Sequence, residues 1–316
     1  VIAYIVRRLA LSIPIMLVAG TMSFLLLHIT PGDPAAVMLG EEATPEQVAR
    51  LRAQLNLDDS LAEQYPRWLL DVVRLDFGES LFLDRPVWEA IAERVKPTIQ
   101  LTLYAMVIAV AISIPAGVVA ALKPNSLLDR VLMLFALAGS AIADFFLGIL
   151  LILLFAVTLR WLPSGGYVAF GDDPVGHVKA MLLPSLALGI SVAGLPARLI
   201  RSTMLDVLHE GYIQTAVAKG LGPTTVAITH ALRNALLPAL TVFGATLGDL
   251  LGGAVVVETV FSLPGLGQLV VNSISRRDFP VIQGMVMVSA AAYVFASLVI
   301  DILAVWLDPR LRHVYR

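Results

Sequence analysis

Three aspartates, Asp144, Asp249 and Asp301, stand inside otherwise apolar stretches of this sequence. Paired acids of that kind suit an intramembrane aspartyl protease or a cation pathway, because an acid is costly in hydrocarbon and is kept there for a purpose. The protease wants Tyr-Asp and Gly-x-Gly-Asp settings. Neither is present, and Thr246 replaces one of the glycines ahead of Asp249. His209-Glu210 begins a zinc-protease string, but Ile213 stands where the second histidine belongs. The histidines (His28, His177, His209, His230 and His313) are scattered, and no cysteine exists to make a thiolate site or a disulfide. No G-x-x-x-x-G-K-[ST] phosphate loop and no G-x-S-x-G elbow occur. The reading is therefore no catalytic residue and no metal site, with Asp144, Asp249 and Glu258 as candidates for a transport pathway.

The elements that must position these acids are membrane helices. Of 316 residues 58% are apolar and 15% charged, against about 25% charged in soluble globular proteins. A net charge of −2 carries no nucleic-acid footprint, which needs a clustered basic excess. Six segments reach the roughly 20 apolar residues needed to cross a bilayer: Leu9–Ile29, Pro97–Leu122, Val131–Leu159, Met181–Ile200, Ala235–Val257 and Val281–Leu307. The first is too long for a secretory h-region and lacks a small-residue cleavage site behind it, so it is read as a retained helix. With the N-terminus inside, the cytoplasmic segments hold Arg7, Arg8, Lys123, Arg130, Arg198, Arg201, Lys219, Arg233, Arg310, Arg312 and Arg316. Basic residues are as numerous outside, but mostly within the long 30–96 segment, which the positive-inside rule does not score. With that segment set aside, only Arg160, Lys179, Arg276 and Arg277 remain outside. Both termini are thus expected in the cytoplasm.

The external segment 31–96 carries two capping-box patterns, Thr44-x-x-Gln47 and Ser60-x-x-Glu63, each opening a helix. The second helix should bring Leu61, Tyr65, Trp68, Leu69, Val72 and Val73 toward one stripe. The segment is expected to cap the outer surface without folding as a domain of its own. Residues 258–284 are expected to dip back or lie along the membrane face. Small residues recur in the spans, with Gly244-x-x-x-Gly248-x-x-x-Gly252 forming a continuous face down the fifth. Such faces let helices approach closely; here the face serves packing within the chain or a seam with a second membrane subunit.

Between spans four and five runs "YIQTAVAKGLGPTTVAITHALRNALLPAL" (212–240). In a soluble protein it would suggest a DNA-binding helix-turn-helix, but the flanking spans pin it to the membrane. Gly220 and Gly222 permit a sharp turn and Pro223 suits a helix start, so two short helices set at an angle should project into the cytoplasm. The stretch resembles the EAA loop of ATP-binding-cassette importer permeases of the dipeptide/oligopeptide/nickel group. Further matches run along nearly the whole chain, among them "PGDPA", "LNLDDSLAEQYPRWL", "RPVWEAI", "WLPSGGY", "RSTMLDVL", "GGAVVVETVFSLPGLGQL", "RDFPVIQG" and "LDPRLR".

The resemblance implies an all-α membrane protein with the type I importer permease fold. Six transmembrane helices would carry an external helical segment between the first two and a cytoplasmic EAA coupling loop. Residues 1–316 would form one permease domain: the 31–96 cap, core spans over 97–307 with the loop at 212–238, and a tail at 308–316. It further implies ATPase coupling through Gln214, Thr215, Ala216, Lys219, Gly220, Leu221, Gly222, Pro223 and Pro238. Gln214 takes the position of the motif's glutamate. Expected partners are a second homologous permease subunit, two ATPase subunits holding ATP and magnesium, an extracytoplasmic substrate-binding protein meeting 31–96 and 258–284, and the lipid of a bacterial inner membrane. No cofactor is expected in this chain. Peptides are the expected substrates, with nickel, glutathione or another small solute as alternatives and an ATP-independent secondary transporter as a distant one. The chain departs from the family at Ala143-Asp144, where Pro-Ser is usual, and at Asp249, where Gly is frequent. The lost proline should remove a kink from span three, and the added acids should favour a cationic substrate group.

Overall fold

The computed structural model describes residues 2–29, 33–40, 43–80 and 82–307. The expected tail 308–316 lies outside them, as do the side chains of Arg7 and Asp301 and the surroundings of Gly252 and Gly253. In hydrocarbon every backbone N–H and C=O must find its partner within the protein, which a helix achieves by itself. The chain is accordingly almost all helix. Among the described residues five helices are long and apolar enough to cross a membrane, and a bent pair makes a sixth crossing if counted as one span.

Helix α1 (Ile2–Ile29) leads outward to α2 (Pro34–Leu39), α3 (Pro45–Gln54) and α4 (Leu61–Val73), then a two-residue hairpin, β1 (Glu79–Ser80) with β2 (Arg85–Pro86). Helix α5 (Val87–Leu122) begins ten residues before the expected second span. The capping box at Thr44 forms, with the Gln47 N–H on the Thr44 hydroxyl and the Gln47 side chain on the Thr44 N–H. The one at Ser60 does not: the helix starts there, but the hydroxyl caps nothing.

Span three departs most from expectation. It is two helices, α6 (Leu127–Ala141) and α7 (Asp144–Leu151, continued by a π-helical stretch Ile152–Thr158), meeting at 104°. The bend arises without proline. Ile142 and Ala143 adopt extended conformations, and the Asp144 carboxylate accepts the Phe145 N–H at 2.7 Å. An acid at the start of α7 also complements the helix dipole.

Helix α8 (Pro174–Leu208) is the axis of the molecule, flanked by α5 and α6. A Cβ on Gly189 would stand 2.9 Å from the Ala105 carbonyl of α5, and one on Gly194 would stand 2.0 Å from the Ala136 carbonyl of α6. These distances leave no room for any side chain. Toward the C-terminal end of α8, Arg201 grips Asp129 of α6 with two hydrogen bonds, at 2.6 and 2.7 Å. That fork geometry suits guanidinium and carboxylate.

After α9 (Gly211–Ala218), the fifth crossing runs from α10 (Pro223–Thr225) through a π-helical turn, Val226–Ala231, into α11 (Leu232–Gly253). Short helices α12 (Val255–Val260) and α13 (Leu266–Arg276) cross the outer side, and α14 (Phe279–Leu307) returns. Val257, expected in span five, therefore belongs to α12 beyond a break at Ala254. Cβ atoms on Gly244 and Gly248 would fall 2.6 Å from Ile300 and Tyr293 of α14. The glycine face of the fifth span is thus occupied within this chain.

Gly194→Ala should lower stability by about 1–3 kcal/mol by overpacking, read as a Tm several degrees lower in detergent. Gly171→Ala, where a Cβ would meet nothing within 4 Å, should leave the Tm unchanged.

Candidate functional site: the projection after α8 and the acidic positions

The turn after α9 is a Schellman motif. The Gly220 N–H donates to the Val217 carbonyl at 2.9 Å and the Leu221 N–H to the Ala216 carbonyl at 3.3 Å, the paired bonds by which a helix end satisfies its last carbonyls. The motif needs a left-handed residue after the cap, and Gly220 supplies φ +83°. Gly222 has φ −65°, so only one of the two glycines is required by backbone geometry.

One face of this projection is internal. Ile213 and Ala216 are buried against Met204 of α8 and against Val226, Ala227 and Ala231. The other face is open. Gln214, Thr215, Lys219, Gly220, Leu221, Gly222, Pro223 and Pro238 are all exposed. Beside them Tyr212, Val217 and Ile228 expose apolar surface that the motif did not single out, with Val217 and Ile228 each 56% open. Val217 and Leu221, four residues apart in a cytoplasmic loop, were the available signal. Asn234 donates to the Tyr212 hydroxyl at 2.7 Å, fastening α9 to α11.

The second expected short helix is not separate. Pro223 to Leu251 forms one helix long enough to cross the membrane, opened by Pro223 and continued through a π-helical turn and past Pro238. Pro238 lies within it rather than at a boundary. The projection therefore joins the fifth crossing without a hinge loop.

The three pathway candidates have different surroundings, and no group of three metal-ligating side chains occurs among the described residues. Asp144 is half-buried at the start of α7. Asp249 is exposed on α11, on a line with the exposed positions Thr241 and Ala245. Glu258 does not line an open surface: its exposure is 0%. It accepts the Thr98 hydroxyl at 2.6 Å, the Gly267 N–H at 2.8 Å and the Gln268 N–H at 3.3 Å, and so caps α13 and ties it to α5. Burial raises its carboxyl above the ordinary range, opposed by the Thr98, Gln268 and Gly267 hydrogen bonds and by Arg94. A Cβ on Gly265 would meet this carboxylate at 2.2 Å. Glu258 is a scaffold acid, legible only once α12 folds over α13.

A polytopic helical protein with an internally braced projection between two long apolar helices has the form of a transporter's membrane component. The family described as "Binding-protein-dependent transport system inner membrane component" matches residues 113–313, and its N-terminal counterpart matches residues 1–102. The chain belongs to this family and is an importer permease. It is 43% identical over 311 residues to a Brucella abortus protein named for a peptide transport system permease, covering 98% of this chain and 99% of that one. It is 42% identical over 310 residues to the glutathione transport system permease protein GsiC of Salmonella paratyphi A, with the same coverage. A chain of the MetNI methionine ABC transporter, solved in inward-facing conformations, shares the fold with TM-score 0.56 and 18% identity over 69% of this chain and 96% of that one.

Gly220→Ala should weaken the turn by about 1–2 kcal/mol, the penalty of a left-handed non-glycine residue, and speed amide exchange at residues 219–222. Gly222→Ala should leave exchange there unchanged.

Proposed function

We propose that this chain forms half of the membrane pathway of an ATP-driven importer of di- and oligopeptides. Its partners in this reading are a second homologous permease, two ATPase subunits that hold ATP and magnesium, and an extracytoplasmic binding protein. It resides in a bacterial inner membrane with both termini in the cytoplasm and needs no cofactor of its own. The observation that carries the reading is the unbroken helix from Pro223 to Leu251. A rod of 29 residues is about 44 Å long, enough to carry a push at the projection across the bilayer as rigid-body motion.

The exposed face of the projection fits a groove on an ATPase subunit, apolar side chains inward and Lys219 at the rim. Gln214, Thr215, Lys219, Gly220, Leu221, Gly222 and Pro223 form the contact in this proposal. Ala216 acts from beneath, since its side chain is 8% exposed. Pro238 acts from within the rod. Substrate is the coarser part of the proposal: relatives named for peptide and for glutathione transport are nearly equally similar, and glutathione is itself a small peptide.

Asp249 supports a pathway role better than the other acids. An aspartate at the centre of a membrane helix costs about 2.5–3.5 kcal/mol on insertion scales, and this one is exposed on the isolated chain. Facing water or a partner subunit removes that cost. Asp144 has a competing structural duty at the start of α7.

Val217→Asp with Leu221→Asp should reduce ATP-driven uptake more than tenfold and release the ATPase subunits on purification, without changing the Tm of the permease; retained attachment and uptake would refute the contact. Asp249→Asn should lower uptake of peptides with a free α-amine several-fold relative to N-acetylated ones, while Asp144→Asn chiefly lowers the Tm. An unchanged substrate preference in both single variants and the double variant removes the acids from the pathway.

A further inference from the structure

Helix α4 presents three arcs, not the single apolar stripe its sequence suggests. The first is bound to protein. Tyr65 shares a hydrogen bond with Thr21 of α1 at 2.8 Å, Gln64 meets His28 at 3.0 Å, and Trp68 donates to Gln283 of α14 at 3.1 Å. Phe24 packs its ring against those of Tyr65 and Trp68. The second arc is polar and open: Glu63, Arg67 and Asp71 recur every four residues, with Arg67 paired to Asp59. The third is apolar and equally open. Leu70 is 57% exposed and Val73 75%, with the exposed Ala62 and Pro66 on the same side, while Leu61 borders the groove beside α1.

The depth of this helix follows from α1. Its apolar run extends from Ala10 to Ile29, and 20 residues span about 30 Å, the thickness of the hydrocarbon layer. Gln64 meets His28 one residue from the end of α1, so α4 lies at the edge of that layer, and the Tyr65 hydroxyl reaches down to Thr21, about 12 Å inside the end at Ile29. Leu25 of α1 borders Ala62 and Pro66 of α4, and Val18 and Met22 of the same membrane helix are exposed. Between α1 and α4 runs a groove of about 290 Å³ lined by Phe24, Leu25, Leu61, Ala62, Tyr65 and Pro66. Tyr65 and Trp68 are the side chains that favour the boundary between headgroups and acyl chains.

We infer that α4 is an interfacial anchor: its Ala62–Pro66–Leu70–Val73 arc lies among phospholipid acyl chains, which fill the α1–α4 groove, while Glu63, Arg67 and Asp71 face the headgroups and water. A helix with a large apolar arc opposite a charged one settles in that plane. The leaflet is the one opposite the N-terminus; calling it the outer leaflet rests on the orientation proposed above, whereas lipid contact does not. Binding-protein docking then falls to the polar arc and the elements around it.

The sequence lacks cysteine, so single thiols can be placed without background from this chain. Nitroxide labels at Ala62→Cys, Leu70→Cys, Val73→Cys, Arg67→Cys and Asp71→Cys would be read in the complete transporter in phospholipid nanodiscs. The ratio of collision rates with oxygen and with a water-soluble nickel chelate should be at least threefold higher at 62, 70 and 73 than at 67 and 71. Equal ratios would place the arc in water and overturn the inference. Low collision with both reagents at 62, 70 and 73 would mean that a protein partner covers it, and would overturn it equally. Neither result depends on substrate or uptake, so the importer reading stands or falls separately.

Discussion

At two glycines of α8 the helices meet with almost no space between their backbones. Where α8 crosses α6, a single methyl on Gly194 would overlap the Ala136 carbonyl, and the same helix meets α5 at Gly189 with almost as little space. Water exclusion cannot drive helices together inside hydrocarbon; dispersion across such close contacts can. The axis formed by α8 fixes the positions of α5, α6 and the buried alanines around Ile200 and Met204. The Asp129–Arg201 pair then sets the rotation of α6 on α8.

On that frame the projection after α8 has a fixed base. Ile213 and Ala216 hold its inner face against α8, and the Tyr212–Asn234 hydrogen bond holds its flank to α11. What remains free is a patch of Val217, Leu221 and Ile228 among polar neighbours. The π-helical turn at Val226–Ala231 sits where projection and span join. Wide turns of this kind are common at functional positions in helices; this one lies where motion would be passed on.

The outer side is organised differently, by buried polar clamps. Glu258 draws together Thr98, Gly267 and Gln268. His177, wholly buried, bonds the Val168 carbonyl and approaches the Tyr104 hydroxyl, with Tyr167 and Phe170 edge-on to its ring. Each clamp joins a loop to the end of a span, so the loops at 159–173 and 261–265 are held by side chains where helix ladders end. Satisfied networks of this kind rigidify a site, because a lone polar group left there would be costly.

Much of this was present in residue order alone. Apolar run lengths located the crossings, Thr44 and Gln47 announced a helix start, and the Lys219–Pro223 stretch announced a turn, because those signals are local in the chain. Which glycine the turn requires was not legible, since φ depends on how α9 ends. Nor was the right angle between α6 and α7 at a site without proline, or the enclosure of Glu258. The glycine ladder of α11 could have served packing within its own chain or a seam with a second subunit; the placement of Ile300 and Tyr293 fills it from within the chain at Gly244 and Gly248. Periodicity records that a face is small, apolar or charged. What covers that face depends on elements distant in sequence, and their position is set by packing.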